Sequence, residues 1–263
     1  MRRLALALAT ALIAGPAAAH EFWIAPLSYG VGPGDALTAN IRVGESFKGN
    51  AQSYFGRRTE RFDIVMGDQV FGPEATLGDR PVLNRAVDGE GLAIVVFETG
   101  DSRLTYREWE KFVAFVDHKA FPGALERHVA RGLPDSGFVE TYRRYAKSLI
   151  AVGSGAGADR AVGLDTEIVA LANPYTDAIT EMPVRVTLYG APRVGAQVEV
   201  YEKAPDEAVS VMLFTTDADG VATIPVQAGH EYMVDAVALE EREGDAAWHT
   251  MWANLTFAVP TGG

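Results

Sequence analysis

The chain has 263 residues, 35 acidic against 23 basic side chains, a formal net charge of -12 and no cysteine. That charge excludes a phosphate-binding footprint and with it nucleic-acid recognition. The missing cysteine excludes disulfide scaffolds, cysteine-ligated zinc, iron–sulfur clusters and thiol nucleophiles. A hydrophobic content of 48% with 22% charged residues is that of a globular protein, and the length suffices for two domains with separate cores.

The first 19 residues read as a signal peptide. Arg2 and Arg3 form a basic start, residues 4–15 an apolar stretch, and Pro16 a helix breaker before Ala17, Ala18 and Ala19. Cleavage is expected after Ala19. The apolar stretch is shorter than the ~20 residues a spanning helix needs, and no later run exceeds it. The expectation is a mature chain with no membrane span, exported to a bacterial periplasm. Cleavage removes two arginines and no acid, leaving 21 basic against 35 acidic side chains. It also makes His20 the first residue, so that one residue offers an imidazole nitrogen and a free α-amine to a transition metal.

Residues 20–106 read mainly as strands. Leu37, Ala39, Ile41 and Val43 alternate onto one face, residues 62–66 run into a Gly67-Asp68 turn, and residues 92–98 (LAIVVFE) form a continuous apolar run. Phe22 and Trp23 read as anchors that pack the mature N-terminus onto a sandwich. Residues 107–148 predict a helical insertion. Trp109, Phe112, Val113, Phe115 and Val116 mark a first helix, and residues 123–131 a short second one. Phe138, Tyr142, Tyr145 and Leu149, at i, i+4, i+7 and i+11, mark a third, with Arg143, Arg144 and Lys147 on or near its polar side. The Gly- and Ala-rich residues 151–163 lack the lysine of a phosphate loop and read as a linker. From 164 to 260, about seven short strands follow in about 100 residues, the size of an immunoglobulin-like or transthyretin-like sandwich. The fold class expected is mainly β: a first sandwich over 20–160 carrying the helical insertion, and a second over 161–263.

Six strings, in order, carry a family likeness: AHEFWI at the mature start, ETYRRYAKSLIAVG from Glu140, GLDTEIVALANPY from Gly163, GAPRVGAQVEVYE from Gly190, TTDADGVATIPV from Thr215 and AWHTMWANLTF from Ala247. Together they resemble domain-of-unknown-function family 4198. The resemblance implies export, β-sandwich architecture, and an association with nickel and cobalt uptake through a transporter or a TonB-dependent system.

The chain has five histidines. The candidate metal ligands are His20, Glu21 beside it, His118 at the end of the first helix, and His249, which opens an apolar face of a strand (Met251, Ala253, Leu255, Phe257). His128 reads as solvated helix surface and His230 as a turn. There is no H-E-x-x-H and no close histidine pair, so a site must be assembled from distant parts. Asp217-Ala218-Asp219-Gly220 fails as a calcium loop, since the twelfth position is Ala228, and reads as a tight turn. No nucleophile elbow is present, and no enzyme is expected. The expected function is a periplasmic transition-metal-binding protein, nickel or cobalt favoured and copper or zinc open. The alternatives are a non-metal binding or structural module, favoured if Trp248 and Trp252 are exposed together, and a copper histidine-brace protein.

Overall fold

The structure, a computed structural model, describes residues 21–261; the expected signal segment and His20 lie outside the described residues. The first half runs β1 (Glu21–Pro26), β2 (Gly30–Val31), β3 (Ala36–Glu45), β4 (Lys48–Gln52), β5 (Thr59–Met66), β6 (Gln69–Phe71), β7 (Leu83–Ala86), β8 (Gly91–Thr99) and β9 (Ser102–Tyr106). Two helices follow, α1 (Trp109–His118) and α2 (Ala124–Ala130), and then the long strand β10 (Phe138–Val152). The second half contributes β11 (Thr166–Ala170), β12 (Glu181–Leu188), β13 (Ala191–Pro192), β14 (Gln197–Lys203), β15 (Val209–Thr215), β16 (Val221–Pro225), β17 (Glu231–Glu241) and β18 (Trp248–Ala258). The protein is mainly β.

Three sheets stack. The central one has ten strands in the order β15-β14-β17-β18-β10-β8-β5-β6, with β2 and β9 also on β10. It runs unbroken from the first half into the second because β10 and β18 pair in parallel from Glu140–Trp248 to Ser148–Thr256. A four-stranded sheet of β1, β3, β4 and β7 covers one face, and β11, β12, β13 and β16 form a third sheet over the other.

Strand periodicity decides which side chain meets which layer. In β18, Met251, Ala253, Leu255 and Phe257 join the core shared with Ile168, Met182 and Ile224 of the third sheet. The alternate residues Trp248 and Trp252 face the opposite way, into an aromatic cluster under α1 and α2 with Phe112, Phe115 and Phe138. The same alternation in β8 sends Leu92, Ile94 and Val96 to the third sheet, and Ala93, Val95 and Phe97 to β1 and β3. Being buried on both faces is why residues 92–98 show no alternation of polarity.

The expected third helix is a strand. β10 is buried on both faces over residues 145–150, so apolar side chains fall at consecutive positions and a helical spacing can be picked out of them. Helical structure therefore ends at Ala130, not near 148. Arg144 and Lys147 are not on a polar surface either. Lys147 lies inside, with its ammonium 2.8 Å from Asp159 Oδ1 and 3.1 Å from Glu167 Oε1, donating also to the carbonyls of Arg160 and Ile168. Asp159 accepts in turn from the Ala170 amide, and Glu167 from the Val162 amide. This one cation fastens the 153–165 linker to the central sheet.

Lys147→Met strips two buried carboxylates of their counter-charge. The expected loss is about 3–5 kcal/mol of stability, read by denaturant unfolding. Adding Asp159→Asn and Glu167→Gln on the same chain should recover much of it.

Candidate functional site

On the central sheet's helix-covered face, strand register sets Glu199 of β14 beside Asp235 of β17, and Asp235 beside Asn254 of β18. All three are buried, and Tyr201 lies two residues along from Glu199. Two elements close over this row. From one side comes the start of β1, held by Phe22 against Phe97 and by Trp23 packed with Tyr201 and Met233. From the other comes the C-terminal end of α1, His118, followed by Lys119.

The contacts are short. The Lys119 ammonium donates to Glu199 Oε1 at 2.8 Å, lies 3.6 Å from Asp235 Oδ2, and sits 4.9 Å from the Trp252 ring centroid. The Tyr201 hydroxyl lies 2.8 Å from Glu199 Oε2 and 2.9 Å from Glu21 Oε1. A phenol carries one proton, so it donates to one carboxylate only; the other short contact requires a proton on a carboxyl group. Burial pushes the Glu21 pKa up, against the pull of Tyr201 and Lys119, which makes Glu21 the group suited to hold that proton. Burial also pushes Asp235 up to about 7. It works against the Lys119 charge too, but Asp235, Glu199 and Glu21 outweigh it and hold the lysine above its usual value. Glu21 Oε2, Asp235 Oδ2 and both amide atoms of Asn254 have no hydrogen-bond partner among the described residues. Three carboxyl groups face one ammonium here, and the buried guanidiniums of Arg144 and Arg193 add positive charge near Asp235, Arg144 also near Glu21.

His118 meets the same corner from the solvent side. Its side chain is 64% exposed, and its Nε2 lies 3.6 Å from Glu199 Oε2. Its carbonyl is held by the Gln197 amide, which also reaches Glu199. Two of the four expected ligands thus reach Glu199, His118 directly and Glu21 through the Tyr201 hydroxyl. Glu199 itself was not anticipated, although the alternation of residues 197–201 puts it opposite the apolar Val198 and Val200. What covers that face is supplied by elements 80 and 180 residues away in the chain.

His249 is elsewhere. It shares a face with Met251 and Ala253, toward the third sheet, and its Nδ1 is 2.9 Å from Thr141 Oγ1. Burial and the nearby Arg242 lower its pKa, so it stays neutral. The central sheet stands between it and the Glu21–His118 corner. His20 lies outside the described residues, among which no group of three histidine, aspartate or glutamate side chains is arranged to hold a metal ion.

One expectation is corrected here. His128 is not solvated: it is 1% exposed, accepts from the Trp248 indole at Nδ1 and donates from Nε2 to the Pro134 carbonyl, a neutral structural tautomer. Trp248 and Trp252 are buried rather than exposed, which removes the observation that would favour a carbohydrate- or protein-binding face. His230 enters β17 with its Nδ1 2.9 Å from Glu202 Oε1. In the 217–220 turn, Asp217 Oδ1 accepts from the Asp219 and Val221 amides, so it is used by the turn itself.

A further buried carboxylate, Glu140, lies on the same face beneath the helices. It accepts from the Tyr106 and Thr250 hydroxyls, and burial pushes its pKa up to about 7. Its folded value lies above the ordinary 4.5, so between about pH 4.5 and 7 the folded chain binds more protons than the unfolded one. Stability therefore falls as pH rises through that window. Glu140→Gln should remove this share, up to about 3 kcal/mol between pH 5 and 8, in paired denaturation curves. An unchanged pH slope would assign no part of it to Glu140.

A family model described as "Domain of unknown function (DUF4198)" matches residues 17–240, most of the chain. No curated protein matches it.

Proposed function

We propose that the chain, which belongs to the DUF4198 family, is an exported transition-metal-binding protein that holds its cargo at the corner formed by the start of β1 and the end of α1. The cargo is nickel or cobalt, passed on by binding and release to a periplasmic uptake system, a transporter or a TonB-dependent receptor. What carries the reading is the convergence of His118, and of Glu21 through the Tyr201 hydroxyl, on the one buried carboxylate of Glu199. A chain cut after Ala19 presents the amine and imidazole of His20 one residue before Glu21, whose strand is clamped by Phe22 and Trp23. Such anchoring would preorganise a terminal ligand.

The chemistry of the donors fits. An imidazole and an amine suit borderline divalent ions, and a carboxylate neutralises part of their charge. The orphaned Glu21 Oε2 is an oxygen in want of a cation or a proton. His118 is exposed enough to be reached from solvent, as a site that must release its cargo requires. Among the described residues no helix is long and apolar enough to cross a membrane.

The test is metal titration by calorimetry on protein exported with its own signal, against the same chain carrying one extra residue before His20. The expected result is nickel or cobalt affinity tighter than millimolar, weakened at least about tenfold by the added residue and by His118→Ala, and unchanged by His249→Ala. Absence of affinity tighter than millimolar in the correctly processed chain overturns the proposal.

A further inference from the structure

The central sheet ends at β15, and that edge is built differently from the others. Natural sheets blunt their free edges with charge, proline or brevity, because an open row of amides and carbonyls recruits another strand. Here β4 carries Lys48, β6 is three residues long and leads into Gly72-Pro73, and β13 contains Pro192. β15 has none of these. Its seven residues, VSVMLFT, are all uncharged, and among the described residues it pairs only with β14, leaving its outer side without a strand.

Its side chains divide by face. Met212 and Phe214 pack on the core shared with the third sheet. Val211 and Leu213 point to the helix-covered face and are 50% and 62% exposed. Their partners across the β14 ladder are Tyr201 and Glu199, so this apolar pair forms the outer rim of the candidate site.

We propose that β15 pairs antiparallel with β15 of a second copy, about a twofold axis through Met212. The strand is self-complementary in that register. Val211 falls opposite Leu213 of the other copy, twice, so each molecule's exposed apolar pair is covered by the same pair from its partner. Ser210 falls opposite Phe214 and Val209 opposite Thr215, with no charge in the ladder. Identical faces meeting across a closed axis stop at two, and the charged or proline-bearing edges elsewhere resist growth. Glu199 of one copy then lies three strand spacings, about 14 Å, from Tyr201 of the other. Two candidate sites share one rim.

The same register sets the acidic turn holding Asp206 and Glu207 against the Asp217 and Asp219 turn of the partner. Two chains beginning at His20, each with 21 basic against 35 acidic side chains, also repel at distance. The dimer is accordingly weak at low salt and strengthened by salt, the opposite of an interface held by ion pairs.

Sedimentation equilibrium of the chain beginning at His20, over a wide range of concentration, tests this at low salt and at about 0.5 M salt, where screening lengths are a few ångström. The expected result is a monomer–dimer equilibrium that tightens several-fold with salt. Val211→Lys or Leu213→Lys alone should weaken association at least tenfold with an unchanged thermal midpoint, both side chains being exposed. Val211→Lys combined with Leu213→Glu should restore it, because this register alone pairs the two across the axis. A monomer at every concentration, or a dimer indifferent to the single substitutions, overturns the inference. The dimer does not depend on metal: association without metal affinity retains this inference and removes the functional proposal, and the reverse holds equally.

Discussion

Everything above rests on the parallel pairing of β10 with β18. Nine consecutive residue pairs join a strand of the first half to the last strand of the second. Parallel ladders need cover on both faces, and here both are covered: by the third sheet on one side, and by the helices and the β1 sheet on the other. The pairing fixes two surfaces in one frame. β1 and α1, made early in the chain, come to lie over β14 and β17, made late. Without that shared frame, Glu21 and Tyr201, 180 residues apart, would have no reason to meet.

The polar groups of the frame divide by how fully they are satisfied. Lys147 is surrounded by two carboxylates and two carbonyls, and that arrangement is a structural clasp. His128 and Glu140 are likewise matched to fixed donors and acceptors under the helices. The corner around Glu199 is the exception. Several of its buried oxygens lack donors, and an exposed histidine stands at its entrance. Buried polar groups left short of partners are costly unless something else completes them, which is why this corner rather than the clasp is read as the working part.

Most strands were legible in the sequence, since alternation in residues 36–43, 184–188 and 248–257 and the unbroken apolar run at 92–98 each state how many faces are buried. The first helix was legible from its aromatic spacing, and the second as a short helix over residues 123–131. β10 was not: a strand buried on both faces near a polar end yields apolar positions that also satisfy a 3.6-residue period, and length alone does not arbitrate. His128 was misread because its neighbours Glu126 and Arg127 are exposed, while one turn of α2 aims the imidazole at Trp248. Of the candidate site, Glu21 and His118 were legible by residue type. Glu199 and Lys119 were not, because a charged residue opposite an apolar face reads as solvated until the covering element is known.

The order of manufacture gives the β10–β18 ladder one more meaning. A chain emerging from its N-terminus reaches residue 152 with β10 lacking its partner, which arrives only with residues 248–258. Contacts so distant in sequence form slowly and late. The first half must wait, incomplete and pliable, until β18 has been made. The ladder is then a latch as well as a frame, and the strand that completes the second half also shuts the first.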